Sequence, residues 1–546
     1  MKVSLGSKFG TNATSHKRPH LPDEIISLIF KEVQKSRKPG YPRPQDQTTL
    51  RRSKLAPVFV RICCVNSRFR RLALPFLYSE LTFTEMHDSR LPARFHDSGG
   101  TDFWPESMSE PAAFVKSAAV FWELEEDYVS SSARRALSIE VSKLRTRVYQ
   151  SCAILHHFYN LTHLKIVLRS DHPAYEGNRQ LIPSVSEFSA LPFLESLRCL
   201  ELDDGREHYE SEVGFGTSMS KEDCDSLGLF VQRLPNLETV SLVGYDFDDM
   251  DFSVAEGVDV KTLWPKLRDV NLKEFHHTST QSSTDAFSLL CRATSSTLRK
   301  LSLTTPYASC KFAGAIEKNK FPCLETLCLR ECETLAEDVS DHPEEDYDWS
   351  NFVLAIPNCR HMSIDFSYLH TQRSWDNFVF QLTESPTIWS TLKSLSLKNL
   401  ANSTRIDPIA CLDSFATLLS REGQALQQLN LTLYDLEAPS SEEYADRLAN
   451  ADPPHRTFSH MLLYKSLVIL ELAYSRSVNC KVEMQSDIAI PWFYNTIDLD
   501  VAGQHITIAS DKPKHNQQLS DLLLTPPIRA VIRTIAGRGV EVIWRL

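Results

Sequence analysis

From about residue 160 to residue 475 the apolar positions keep returning to one spacing, apolar-x-x-apolar-x-apolar. It is usually preceded by proline or a polar break and followed by a polar turn. The clearest copies are Leu197-x-x-Leu200-x-Leu202, Leu237-x-x-Val240-x-Leu242, Leu267-x-x-Val270-x-Leu272, Leu298-x-x-Leu301-x-Leu303 and Leu324-x-x-Leu327-x-Leu329. Leu161-x-x-Leu164-x-Ile166 precedes them, and copies at Cys359–Ile364, Leu392–Leu397, Leu426–Leu431 and Leu467–Leu472 follow. Val115-x-x-Ala118-x-Val120 reads as a degenerate first copy. Side chains alternate across a strand, so each copy predicts a short strand with one apolar face.

Between these runs the period becomes helical. Ser220 and Asp223 form a capping box ahead of Leu227, Phe230, Val231 and Leu234. Trp349, Phe352, Val353 and Ile356 repeat the spacing, as do Leu412, Phe415, Ala416 and Leu419, and finally Ile528, Val531, Ile532 and Ile535. Gly537 then ends the last helix, and Val540, Val542 and Trp544 alternate as a closing strand. One strand-helix unit cannot bury its own apolar face, but stacked units share a core. The fold class expected is therefore α/β, with parallel strands on an inner, concave face and helices outside.

The N-terminal pattern differs. Pro22 opens a helix and acidic residues follow in its electropositive first turn. Its apolar residues cover two sides: Ile25, Leu28 and Ile29 on one, Ile26, Phe30 and Val33 on another. Such a helix needs two partners. Leu55, Val58, Phe59, Ile62 and Val65 predict a second helix. A third is predicted from a Ser67 cap through Phe69, Leu72 and Ala73, with Pro75 as its stop. About fifty ordered residues bury too little surface to stand alone, so surplus apolar surface there implies docking to another chain.

The residues Leu21-Pro22-Asp23-Glu24-Ile25, then Val65-Asn66-Ser67-Arg68-Phe69-Arg70-Arg71-Leu72-Ala73 and Leu77-Tyr78, resemble an F-box. The downstream array resembles the irregular leucine-rich repeats that follow F-boxes. Its spacing wanders from about 26 to 41 residues, however, and the asparagine expected after the strand is mostly missing. The resemblance implies a substrate-recognition subunit of a Skp-cullin-F-box ubiquitin ligase. Leu21, Pro22, Ile25, Ile29, Val65, Phe69 and Leu72 would then hold the Skp-family adaptor, or the core beneath that contact, and the adaptor would link the chain to a cullin. One departure is the segment from Gln34 to Lys54, a basic insertion with Pro39, Gly40, Pro42 and Pro44 where F-boxes have a short connection. It reads as a flexible loop. The domains expected are a flexible N-terminus at 1–19, an F-box-like helical domain at 20–84, a connecting region at 85–150 and a leucine-rich-repeat solenoid with its cap at 151–546.

In that solenoid the residues flanking the leucines face outward and form the expected target-binding surface. They are Glu201, Asp203, Ser241, Asn271, Lys273, Lys300, Ser302, Arg330, His361, Asp365, Lys398, Asn430 and Glu471. The set is mixed and polar, which suits a protein target rather than one small-molecule chemistry. The same pattern also fits a non-catalytic repeat scaffold acting outside ubiquitination. An enzyme with its site scattered over repeat loops is a third reading, and it predicts a deep pocket with perturbed titratable groups.

Charge and motif content narrow these readings. Net charge is −11, yet residues 1–80 carry about three times more Lys and Arg than Asp and Glu. These cations sit in a proline-rich loop and on short helices without interleaved aromatics, which favours an acidic protein partner over nucleic acid. The acidic run from Glu337 to Asp348 reads first as a solvated insertion and second as a contact for a basic partner. There is no P-loop, H-E-x-x-H, G-x-S-x-G or strand-linked G-x-G-x-x-G, so no catalytic residue is expected.

No cofactor or metal site is expected either. His156-His157 and His276-His277 lack ligand-spaced partners, and Cys323, Cys328 and Cys332 lie along a strand and its turn. Thirteen cysteines, mostly within apolar runs, suit reduced buried thiols. No apolar stretch is long enough for a bilayer and the first twenty residues do not resemble a secretory signal, so the expected compartment is cytoplasm, nucleus or both. The N-x-Ser/Thr triplets at Asn12, Asn160, Asn402 and Asn430 read as chance.

Overall fold

The computed structural model describes residues 21–35, 56–86, 113–124, 158–170, 191–203, 231, 233–243, 260, 263–273, 283–305, 310–331, 351–365, 372–398, 408–421, 425–434, 458–485, 496–509 and 526–545. It opens with three short helices, α1 (Asp23–Lys35), α2 (Ala56–Cys63) and α3 (Ser67–Tyr78). Asp23 and Glu24 sit in the first turn of α1, where the helix dipole favours negative charge. Asn66, not Ser67, caps α3: its side chain accepts from the Phe69 amide at 2.8 Å.

Pro75 lies inside α3 and does not end it. The last turn persists because it is packed. Leu77 is buried, and the Phe76 ring stacks on Phe59 at 5.6 Å and meets Phe30 edge-on at 5.8 Å. Such ring pairs add about 0.5–1.5 kcal/mol each beyond area burial, which offsets much of the proline penalty. Ile26, Phe30, Phe59, Ala73 and Leu77 form the core of this helical unit.

One sheet follows, and its strands stand in sequence order: β1 (Glu80–Met86), β2 (Ser117–Leu124), β3 (His163–Ser170), β4 (Cys199–Asp203), β5 (Thr239–Val243), β6 (Asp269–Lys273), β7 (Lys300–Thr305), β8 (Thr326–Glu331), β9 (His361–Asp365), β10 (Ser394–Lys398), β11 (Gln428–Tyr434), β12 (Asn479–Gln485), β13 (Thr496–Asp500), β14 (His505–Ala509) and β15 (Glu541–Arg545). Pairing is parallel from β1 to β12 and again between β14 and β15. The fold is α/β with a mostly parallel sheet.

The recurring apolar positions become two continuous ladders. One runs Leu200, Val240, Val270, Leu301, Leu327, Met362, Leu395, Leu429, Cys480, and the other Leu202, Leu242, Leu272, Leu303, Leu329, Ile364, Leu397, Leu431, Val482. All are buried, so slipping any strand by one residue would turn its leucines to water. The turns before the strands lock this register. Arg268 O accepts the amides of both Arg299 and Lys300, and the pattern repeats from strand to strand. Asn160, Asn236 and Asn358 each donate to a carbonyl of the preceding repeat, on Ala113, Glu195 and Pro322.

The helices on the leucine face are α4 (Ser283–Thr294), α5 (Cys310–Asn319), α6 (Phe352–Ala355), α7 (Gln372–Glu384), α8 (Pro386–Thr391), α9 (Pro408–Ser420), α10 (Phe458–Ser475) and α11 (Pro526–Gly537). Their buried residues join the strand leucines in one core reaching from Val115 to Val540. Arginines tie successive helix ends together. Arg421 donates to Thr383 O at the end of α7, and Arg476 to Ser420 O at the end of α9. Exposed C-terminal carbonyls are satisfied this way.

Four expectations need correction. The copy Leu467-x-x-Leu470-x-Leu472 is not a strand but the middle of α10, and the strand comes later, at Asn479–Gln485. No proline or polar break precedes that copy, and Leu462, Leu463, Ser466, Leu467, Leu470 and Ala473 bury one broad helical face. The sheet also begins at Glu80, ahead of the boundary at 84/85, and takes in β1 and β2 within the stretch read as helical domain and connection. Near its end it contains an antiparallel hairpin, β13–β14, between β12 and β15. Finally, the C-terminal stop of α3 falls at Tyr78 rather than at Pro75. The insertion from residue 36 onward, the capping box at Ser220, the acidic run at 337–348 and both His pairs lie outside the described residues.

Candidate functional site

Two surfaces carry the sequence-predicted contact residues. The first is on the helical unit. Ile26 and Phe30 close the core from one side of α1, while Leu21, Ile25, Leu28 and Ile29 run at i, i+4, i+7, i+8 along another. These four and Val65, in the α2–α3 turn, are between 41% and 65% exposed. Pro22 is exposed as well, whereas Phe69 and Leu72 are half-buried against the core and support the surface from below. Leu28 belongs to the same row and was not among the predicted contacts. It was legible as the i+7 member of the stripe.

An ion-pair clamp holds this row in place. Arg68 Nε donates to Asp23 Oδ1 at 2.6 Å, Arg71 pairs with the other carboxylate oxygen, and Arg68 also donates to Leu21 O. The clamp sets the start of α1 against the start of α3, beside Val65. Hydrogen bonds from Arg68 and then Arg71 hold the Asp23 carboxyl below its ordinary pKa.

The join to the sheet is short. Only Ser79 separates α3 from β1, and its carbonyl accepts the amides of Lys116 and Ser117 at 2.9 Å each. Tyr78 packs against the helical core and the sheet core together.

The second surface is the sheet face opposite the leucines. Glu201 pairs with Lys165 at 2.8 Å, and Asn271 donates to Ser241 Oγ at 2.8 Å. Lys300, Arg330 and His361 are exposed, and Asp203, Lys273, Ser302, Lys398 and Asn430 are half-buried. Two predicted contacts fail. Asp365 is buried at the end of β9, 3% exposed. Glu471 lies on α10 rather than on a strand and pairs with Arg538 at 3.2 Å.

A row of cations beside this face was missed. Arg198, Arg268, Arg299, Arg360 and Lys393 each follow the first buried residue of a repeat and are exposed. Reading the second position of every repeat in register would have found them. Glu325 stands in the same row, 3.8 Å from Arg299 and 3.7 Å from Arg360. At that place a cavity of about 250 Å³ opens, lined by Arg299, Pro322, Cys323, Glu325, Asn358, Arg360 and Thr391.

The thiols are not poised for nucleophilic chemistry. Burial pushes Cys199 up to about 11 and Cys359 up to about 12, and raises Cys291 and Cys480 as well. The reactive thiolate is therefore disfavoured at each. Among the described residues no group of His, Cys, Asp and Glu could hold a metal, and no helix is long and apolar enough to cross a membrane. Neither a family model nor a curated protein matches the chain.

Proposed function

We propose that the chain is a non-catalytic substrate-recognition subunit of a Skp-cullin-F-box ubiquitin ligase. In this reading α1–α3 form an F-box that docks a Skp-family adaptor, and the stacked strand-helix units form a leucine-rich-repeat solenoid that holds a target protein. The observation that carries the proposal is the exposed row Leu21, Ile25, Leu28, Ile29 with Val65, on a unit whose own core closes on the opposite side of α1. A contiguous apolar surface of that kind on a small unit marks a docking site.

The short α3–β1 join fits an adaptor that must hold its target at a set distance from the ligase. Tethering raises the local concentration of a target lysine near the charged conjugating enzyme, and a stiff connection preserves that gain. The chemistry then belongs to the partners. Co-expression with a Skp-family adaptor tests the proposal, comparing the native chain with Leu21→Ala/Pro22→Ala. Capture by the native chain and its loss in the variant support it. Absence of capture by the native chain would contradict it and leave a repeat scaffold.

A further inference from the structure

The sheet face across β6–β10 is cationic although the chain as a whole is acidic, with 70 Asp and Glu against 59 Lys and Arg. The backbone ladder links the cations in order. Arg268 O accepts from Arg299 N, Arg299 O from Glu325 N, Glu325 O from Arg360 N, and Arg360 O from Lys393 N. Their side chains therefore step along the sheet at strand spacing, roughly 4.8 Å per strand.

The guanidinium groups of Arg299 and Arg360 are 57% and 53% exposed. Among the described residues neither makes a side-chain hydrogen bond. Their separations from Glu325 exceed hydrogen-bond range, so strong directional donors are left facing the cavity between them. Beside the row the mid-strand positions are small and uncharged, at Ser302, Ser363 and Ser396. This leaves a low floor across which a chain can lie.

We infer that this face binds a short acidic polypeptide segment, lying across β6–β10 with one of its carboxylates seated between Arg299 and Arg360. The inference rests on the reading that the repeats hold a protein target, and it names the chemistry of that target. A nucleic acid fits less well. No Phe, Tyr or Trp stands on this face among the described residues to stack bases, and Glu325 interrupts the cationic row where a continuous phosphate backbone would run. The chain's net charge of −11 repels long polyanions, whereas a short segment can stay within a Debye length of the row, about 8 Å at physiological salt.

Fluorescence anisotropy on the full chain, without adaptor, tests this. The probes are a labelled Glu/Ser peptide of about twelve residues, a Lys/Ser peptide of the same length and an oligothymidine of similar length. The native chain is expected to bind the acidic peptide alone, and binding should weaken steeply with added salt. Arg299→Ser/Arg360→Ser should lose about tenfold in affinity, while Arg533→Ser on the outer helix α11 should change nothing. Glu325→Gln should tighten binding about threefold, a gain that misfolding cannot imitate. The inference is overturned if the native chain does not bind the acidic peptide, if oligothymidine binds as tightly, or if the double arginine variant binds like the native chain. None of these results bears on adaptor capture, so failure here and failure of the ligase reading can be told apart.

Discussion

The helical unit and the sheet bury apolar side chains in opposite ways. The sheet shares one core along its whole length, so every leucine has neighbours from the repeats on both sides and its outer face is left polar. The helical unit has a five-residue buried core and leaves as much apolar side chain outside as in, at Leu21, Ile25, Leu28, Ile29 and Val65. The contrast teaches where stability and recognition reside. Substitutions at buried positions should act on folding in both regions, whereas the exposed apolar row should be silent in folding and decisive in binding.

The largest effect is expected from Phe59→Ala, which removes a fully buried ring that stacks on Phe76 and meets Phe30. It should cost about 3–5 kcal/mol, enough to unfold the helical unit while the sheet stays formed. Hydrogen exchange would show this as lost protection in α1–α3 with retained protection in β4–β11. Loss of protection throughout would mean that the two cores are one cooperative unit, coupled through Tyr78.

Leu303→Ala, in the middle of the sheet ladder, should cost about 2–5 kcal/mol. Urea unfolding should show the loss spread over several repeats, because each unit is stabilised through its neighbours. A change confined to β7 would contradict a continuous core.

Alkali should separate the regions further. The ordinary thiol pKa is 9.0, and Cys199 is held at about 11 and Cys359 at about 12 by burial. Above pH 9 the unfolded chain releases these protons and the folded chain keeps them. Sheet stability therefore falls as pH rises from 9 toward 11 and beyond. Cys199→Ser should flatten that slope in thermal melts recorded from pH 8 to 11.

The smallest effect is acid-linked and belongs to the helical unit. The Asp23 carboxyl lies below its ordinary 3.8 because Arg68 and Arg71 donate to it. Its contribution is present above pH 3.8 and is lost as pH falls through the lower folded value. Asp23→Asn should abolish that acid response, read as helix loss in circular dichroism, and leave the sheet's alkaline response unchanged.

Much of this was legible in the residues. Nine of the apolar-x-x-apolar-x-apolar copies from Leu161 to Leu426 became strands or their immediate approaches, because a buried strand face demands that alternation. The two-sided α1 was legible for the same reason, since Ile26 and Phe30 fall on a different face from Ile25 and Ile29.

What escaped has physical causes. The Leu467 copy satisfies the strand spacing and a helical one at once, and length and the missing break decide for the helix. The hairpin β13–β14 lacks the repeat spacing, although Ile497 and Leu499 alternate before Asp500, and Ile506 and Ile508 after His505. Its turn depends on Gly503, whose amide is accepted by Asp500 and where a Cβ would lie 2.6 Å from the His505 ring. Asp365 was misplaced because alternation predicts a side but not how deeply a strand end is covered. The cation row escaped because each member is an unremarkable surface arginine or lysine until the strands are set in register.

The central claim is that the exposed row on α1 is a docking surface, and co-purification with a Skp-family adaptor tests it most directly. The variant to compare is Ile25→Asp/Ile29→Asp, since both side chains already face solvent and the melting temperature should stay within a few degrees of the native chain. The account predicts adaptor capture by the native chain and its loss in this variant, with the acidic and alkaline responses unchanged. Equal capture by the variant and the native chain would contradict it.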